Sequence, residues 1–206
     1  MIKAVIFDMG GVITSQAIFN HEFNKAIEKV FGEKNVEFSN PKFKFLFDSF
    51  IKLETNKITD IEFWTEFAKK LNKPYNSFLE SIFIKIAKKL KPRDSMVKLV
   101  KELENNDIKT AVLSNVWASF AKHNYDLGYY GIFDHVFLSH ELKMRKPDKE
   151  IFYYVLEKLS IKPEEAVFID DMRRNVLAAN EIGIYGLLYT NTSMLVKELR
   201  KLGLKV

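Results

Sequence analysis

The stretch Ala4-Val5-Ile6-Phe7-Asp8-Met9-Gly10-Gly11-Val12-Ile13-Thr14 constrains this chain more than any other. Its opening run is wholly apolar, too short to span a membrane and rich in β-branched residues, which is the pattern of a buried parallel strand. Asp8 then stands at the carboxyl end of that strand. In open α/β sheets that edge is where ligands bind, and the glycine pair lets the backbone turn sharply beside whatever Asp8 faces. Alone, the stretch fits a turn aspartate as well as a ligand-facing one.

The remainder of the chain decides between them. From Gln16 to Leu90 the apolar spacing is helical: Phe19, Phe23, Ile27, Val30 and Phe31 in one segment, then Phe43, Phe47, Phe50 and Ile51 in the next. Thr59-Asp60-Ile61-Glu62 has the form of a capping box and predicts a helix burying Phe63, Trp64, Phe67 and Leu71. A fourth helix, with Phe78, Ile82, Phe83 and Ile86, is expected between Lys73-Pro74 and Lys91-Pro92. Beyond Pro92 helix and strand alternate. Helices are predicted at 94–106, 149–159, 174–182 and 194–202, and strands at 109–113, 136–138, 166–169 and 184–188. This order predicts an α/β fold, a Rossmann-like parallel sheet core with an inserted α-helical bundle. The expected division is 1–15 and 91–206 for the core and 16–90 for the bundle.

Composition narrows the function. With 206 residues, 47% hydrophobic and 29% charged, the chain can bury a proper core. It shows neither a charged-then-apolar leader nor a membrane-length apolar segment, so a cytoplasmic protein without a membrane partner is expected. There is no cysteine, so a bound metal would have oxygen or histidine ligands. The net charge of +5 comes mostly from lysines interleaved with glutamates, as in Lys101-Glu102. That is the pattern of solvated helix faces, and no nucleic-acid partner is expected.

The predicted strand ends carry Asp8, then Ser114 and Asn115, then Asp170 and Asp171, with Lys146-Pro147 in the loop after the strand at 136–138. A parallel sheet brings all of these to one edge. Such a cluster is costly to desolvate unless a cation and an anion are bound within it, and Mg²⁺ with a phosphate meets that description.

In these residues the chain resembles the haloacid dehalogenase-like hydrolase superfamily, specifically its phosphatases with a helical (C1-type) cap. Phe7-Asp8-Met9-Gly10-Gly11-Val12, Leu113-Ser114-Asn115, Lys146-Pro147-Asp148 and Phe168-Ile169-Asp170-Asp171 resemble the four motifs in order. The resemblance implies a magnesium-dependent phosphatase in which Asp8 is the nucleophile, forming an aspartyl-phosphate that water hydrolyses. It implies that Asp8, the Gly10 carbonyl, Asp170 and Asp171 hold Mg²⁺. Ser114, Asn115 and loop amides near Met9 would bind the phosphoryl oxygens, and Lys146 would neutralise their charge. The implied partner is a small phosphorylated metabolite, the protein acting as a monomer or homodimer.

One position departs from the pattern. Family phosphatases usually carry a second Asp two residues after the nucleophile, as general acid and base; here it is Gly10. Such help is worth about 10²- to 10⁴-fold in rate. Three readings stay open: substrates whose leaving group departs unprotonated, an acid supplied by the cap, or weak activity as a binding protein. His21 is one candidate for that acid, though a packing or surface histidine is the simpler reading. A 2-haloacid dehalogenase, which needs no metal, is the alternative chemistry, but it leaves Asp170-Asp171 without employment; a phosphomutase would need the missing acid.

Overall fold

Residues 1–34, 43, 45–75 and 80–206 are described by a computed structural model. Five strands, β1 (Ala4–Phe7), β2 (Lys109–Ser114), β3 (His135–Leu138), β4 (Ala166–Asp170) and β5 (Tyr185–Leu188), form one sheet in the order β3-β2-β1-β4-β5, all pairs parallel. β1 is central because it is apolar on both faces; all four of its residues are fully buried. Phe7 pairs with Val112 and with Ile169, so the next residue of each strand, Asp8, Leu113 and Asp170, comes level at the carboxyl edge.

Helices follow the strands as the periodicity predicts: α1 (Gln16–Phe31), α2 (Phe45–Glu54), α3 (Asp60–Lys70) and α4 (Glu80–Ala87) between β1 and β2, followed by α5 (Asp94–Glu104). After β2 come α6 (Ala118–Asp126), α7 (Ser139–Leu142), α8 (Lys149–Leu159), α9 (Arg173–Asn180) and α10 (Thr192–Lys201). The capping box forms: the Glu62 amide donates to Thr59 Oγ1 at 3.2 Å, and the Thr59 amide donates to Glu62 Oε2 at 2.7 Å. Phe63, Trp64 and Phe67 are buried as their spacing requires. Phe78 lies outside the described residues, as do the side chains of Ile82 and Phe83.

The sheet separates two cores. One joins the β1 side chains Val5 and Phe7 to α1, α2, α3 and α5; the other packs Ile6 and Phe168 against α8. Gly186 lets α9 lie close on β5, since a Cβ there would stand 2.7 Å from the Val176 carbonyl oxygen. Helix α6 has no counterpart in the sequence reading. It buries Asn124, which donates to Tyr130 Oη at 3.2 Å, and exposes Tyr125, so polarity and position do not correspond along it. No described helix is long and apolar enough to cross a membrane.

Candidate active site

The carboxyl edge gathers the residues singled out above. Lys146, with a side chain only 1% exposed, places Nζ 2.7 Å from Asp8 Oδ1 and 2.8 Å from Asp170 Oδ2. The Met9 amide donates to the same Asp8 Oδ1 at 2.8 Å. Asp8 Oδ2 accepts from no described residue, so one oxygen of this carboxylate is held while the other is left to the cavity. Asp170 is fully buried and firmly held: it accepts from Lys146, from the Met172 amide at 2.8 Å, and from Asn175 Nδ2 at 3.1 and 3.0 Å.

Asp171 lies across Gly11. A Cβ at Gly11 would fall 2.0 Å from Asp171 Oδ2, and the residue has φ +82°, so only glycine fits both the turn and the neighbour. The loop from Gly11 to Thr14 is pinned by Arg93, whose guanidinium donates to the carbonyls of Gly11 at 3.1 Å, Thr14 at 2.8 Å, and Val12. The Arg93 amide also donates to the Ile13 carbonyl at 2.9 Å.

Burial pushes the Asp8 carboxyl up, in spite of Lys146 and with help from Asp170; burial and Asp170 push Asp171 up as well. Burial alone would pull Lys146 down, but Asp170 and Asp8 together more than offset it and keep the ammonium charged. Three carboxylates thus lie beside one buried ammonium. One oxygen from each of Asp8, Asp170 and Asp171 lies within 4.8 Å of the others. Such a set is short of positive charge and offers only hard oxygen donors, which fits a divalent cation of the magnesium type.

The Asn115 side chain is not turned to a phosphoryl group: Nδ2 donates to the Lys146 carbonyl and Oδ1 accepts from the Lys146 amide, each at 2.9 Å. It fixes the lysine's backbone instead. His21 is exposed on α1 and does not line the cavity. Ser114, Asn115, Met9 and Gly10 do line it.

The cavity above the edge measures about 620 Å³. Its far wall is aromatic: Phe19, Phe23 and Phe50 from the inserted helices meet Trp117 and Phe120 from the core, with Phe50 and Trp117 ring centroids 5.7 Å apart. Its polar additions come from several elements. Glu54 reaches in from α2 and takes Arg145 Nη2 at 2.9 Å and Nε at 3.2 Å. Burial raises the Glu54 carboxyl, with Arg145 opposing. Arg174 lies 5.5 Å from the Phe47 ring centroid. Gln16, Asn20 and Asn24 line it too, spaced four residues apart on α1. Asp48 is exposed and Trp64 lies wholly in the core.

The family model for haloacid dehalogenase-like hydrolases matches residues 2–183, and the chain belongs to that family. Over 203 residues it is 28% identical to sesquiterpene phosphatase astK of Aspergillus oryzae, covering 97% of this chain and 96% of the relative. Over 115 residues it is 33% identical to flavin mononucleotide hydrolase 1 of Arabidopsis thaliana, covering 55% of this chain and 46% of that longer protein. A haloacid dehalogenase family enzyme from Bacteroides thetaiotaomicron, crystallised with magnesium and inorganic phosphate, is 25% identical, with a TM-score of 0.66 over 92% of this chain and 95% of the other.

Proposed function

We propose that the protein is a magnesium-dependent phosphatase that passes a phosphoryl group from an apolar phosphate ester to Asp8 and then to water. The observation that carries this reading is the charge balance at the sheet edge, where Asp8 and Asp170 share the ammonium of Lys146 and Asp171 brings a third carboxylate within 4.8 Å of the other two. A dianionic phosphate does not approach such a cluster without added positive charge. Bound Mg²⁺, held by Asp8, Asp170, Asp171 and the Gly10 carbonyl, would supply that charge. The names of the A. oryzae and A. thaliana relatives and the magnesium–phosphate complex of the B. thetaiotaomicron enzyme support the same reading.

The chain's own residues divide the work. Lys146 and the Met9 amide fix Asp8 Oδ1, which leaves Oδ2 to attack phosphorus in line with the departing oxygen. Lys146 draws charge from the phosphoryl oxygens as it accumulates, with Ser114 donating from the end of β2. Asn115 acts through Lys146, holding its backbone. Asp170 holds the lysine from the other side, and Asn175 and the Met172 amide keep Asp170 from turning. The aromatic wall receives the organic part of the ester, and a cavity of about 620 Å³ suits a drug-sized apolar group. In this reading 16–90 is the cap, and 1–15 with 91–206 the catalytic core.

The test is turnover of para-nitrophenyl phosphate with Mg²⁺. Hydrolysis abolished by EDTA and by Asp8→Asn sustains the reading. Chloride release from 2-chloropropionate without metal would replace it with the dehalogenase.

A further inference from the structure

Where most of the pattern's phosphatases have a carboxylate, this chain has Gly10, and the space is not empty. A Cβ built on Gly10 would stand 3.1 Å from Gln16 Oε1. An aspartate's carboxyl carbon lies one bond beyond its Cβ, so the Gln16 amide borders the space such a side chain would enter. Gln16 is the first residue of α1, exposed to solvent and lining the same cavity as Asp8. Its Nε2 donates to Asn20 Oδ1 at 3.0 Å, one turn along the helix. That bond turns the carbonyl end, Oε1, toward Gly10. Asn24 Nδ2 in turn donates to the Asn20 carbonyl at 3.0 Å. The row Gln16-Asn20-Asn24 therefore presents one oriented acceptor beside Gly10, in the cavity that Asp8 also lines.

We propose that Gln16 positions the water that hydrolyses the aspartyl-phosphate, an assignment that rests on the phosphatase reading above. The water donates one hydrogen bond to Gln16 Oε1, which aims its lone pair at phosphorus. Its oxygen forms the new P–O bond as the bond from phosphorus to the Asp8 oxygen breaks, and the electron pair of the broken bond returns to the Asp8 carboxylate. One water proton passes to a phosphoryl oxygen and the other stays on the entering oxygen, so dihydrogen phosphate leaves. Gln16 gains and loses no proton. Amide side chains orient attacking water in this way at other phosphoryl-transfer sites. An amide has no proton to give at neutral pH, so it assists the second half-reaction and not the departure of the first leaving group.

Pre-steady-state hydrolysis of para-nitrophenyl phosphate with Mg²⁺ separates the two halves. In Gln16→Ala the kcat should fall about 10- to 100-fold while kcat/KM, which reports attack by Asp8, stays within about 3-fold. A burst of one nitrophenolate per active site should precede the slow phase. Gln16→Glu should restore kcat to within about 3-fold, because a carboxyl oxygen accepts from the water in place of the amide oxygen. A Gln16→Ala enzyme that loses kcat and kcat/KM together, with no burst, overturns this assignment alone. Wild-type protein without turnover, or turnover that survives Asp8→Asn, overturns the phosphatase reading and this assignment with it.

Discussion

The floor and the wall of the cavity are built on opposite plans. On the floor the charged groups are tied to one another: Asp170 accepts from three residues, Lys146 joins two carboxylates, and Asn115 clasps the lysine's backbone. The wall is made of aromatic rings with a few long polar side chains among them. A floor of that kind holds charges to a fraction of an ångström and treats every phosphate alike. A wall of that kind selects by area and shape. Chemistry and selectivity should therefore be separable by substitution.

Lys146→Ala should have the largest effect, lowering kcat about 10²- to 10³-fold for all esters alike. It also leaves Asp170 buried without its cation, so the metal-free protein should lose about 3–5 kcal/mol in urea unfolding, with part recovered on adding Mg²⁺. Unchanged metal-free stability would show that Lys146 does not neutralise Asp170. Gly11→Ala is next: its Cβ displaces Asp171, and the Mg²⁺ concentration for half-maximal activity should rise about 10- to 100-fold, read from a magnesium titration. Phe19→Ala sharpens the contrast most directly. It should reduce kcat/KM for 1-naphthyl phosphate about 10-fold and leave acetyl phosphate within about 2-fold. Equal losses on both substrates would erase the division between floor and wall. His21→Ala, on the exposed face of α1, should change kcat less than about 2-fold.

The same division governs what could be read from sequence. Asp8, Ser114, Asp170 and Asp171 announced themselves because each follows a short apolar strand, and a parallel sheet brings such ends together whatever its loops do. The Thr59–Glu62 capping box is equally local. The wall carries no such signature. Glu54 and Arg145 meet across 91 residues, and nothing near either one marks the pairing. Gln16 begins a helix like many others, and its relevance emerges only when it faces Gly10. Asn115 reaches the same edge, but its side-chain amide is claimed at both ends by a partner 31 residues away, a pairing that nothing near it in sequence announces. Helix α6 escaped because it buries an asparagine and exposes a tyrosine.

Arg93 joins the two places where the backbone passes between the sheet and the inserted helices, since the loop leaving Asp8 and the segment returning ahead of α5 are stitched by the same guanidinium and amide. The excursion from 16 to 90 thus hangs from a single knot, not from two independent tethers. Any rocking of those helices pivots there, sweeping Phe19 and Gln16 through an arc while the backbone beneath Asp8 stays still. On the proposed reading, such a motion would admit a substrate without loosening Asp8.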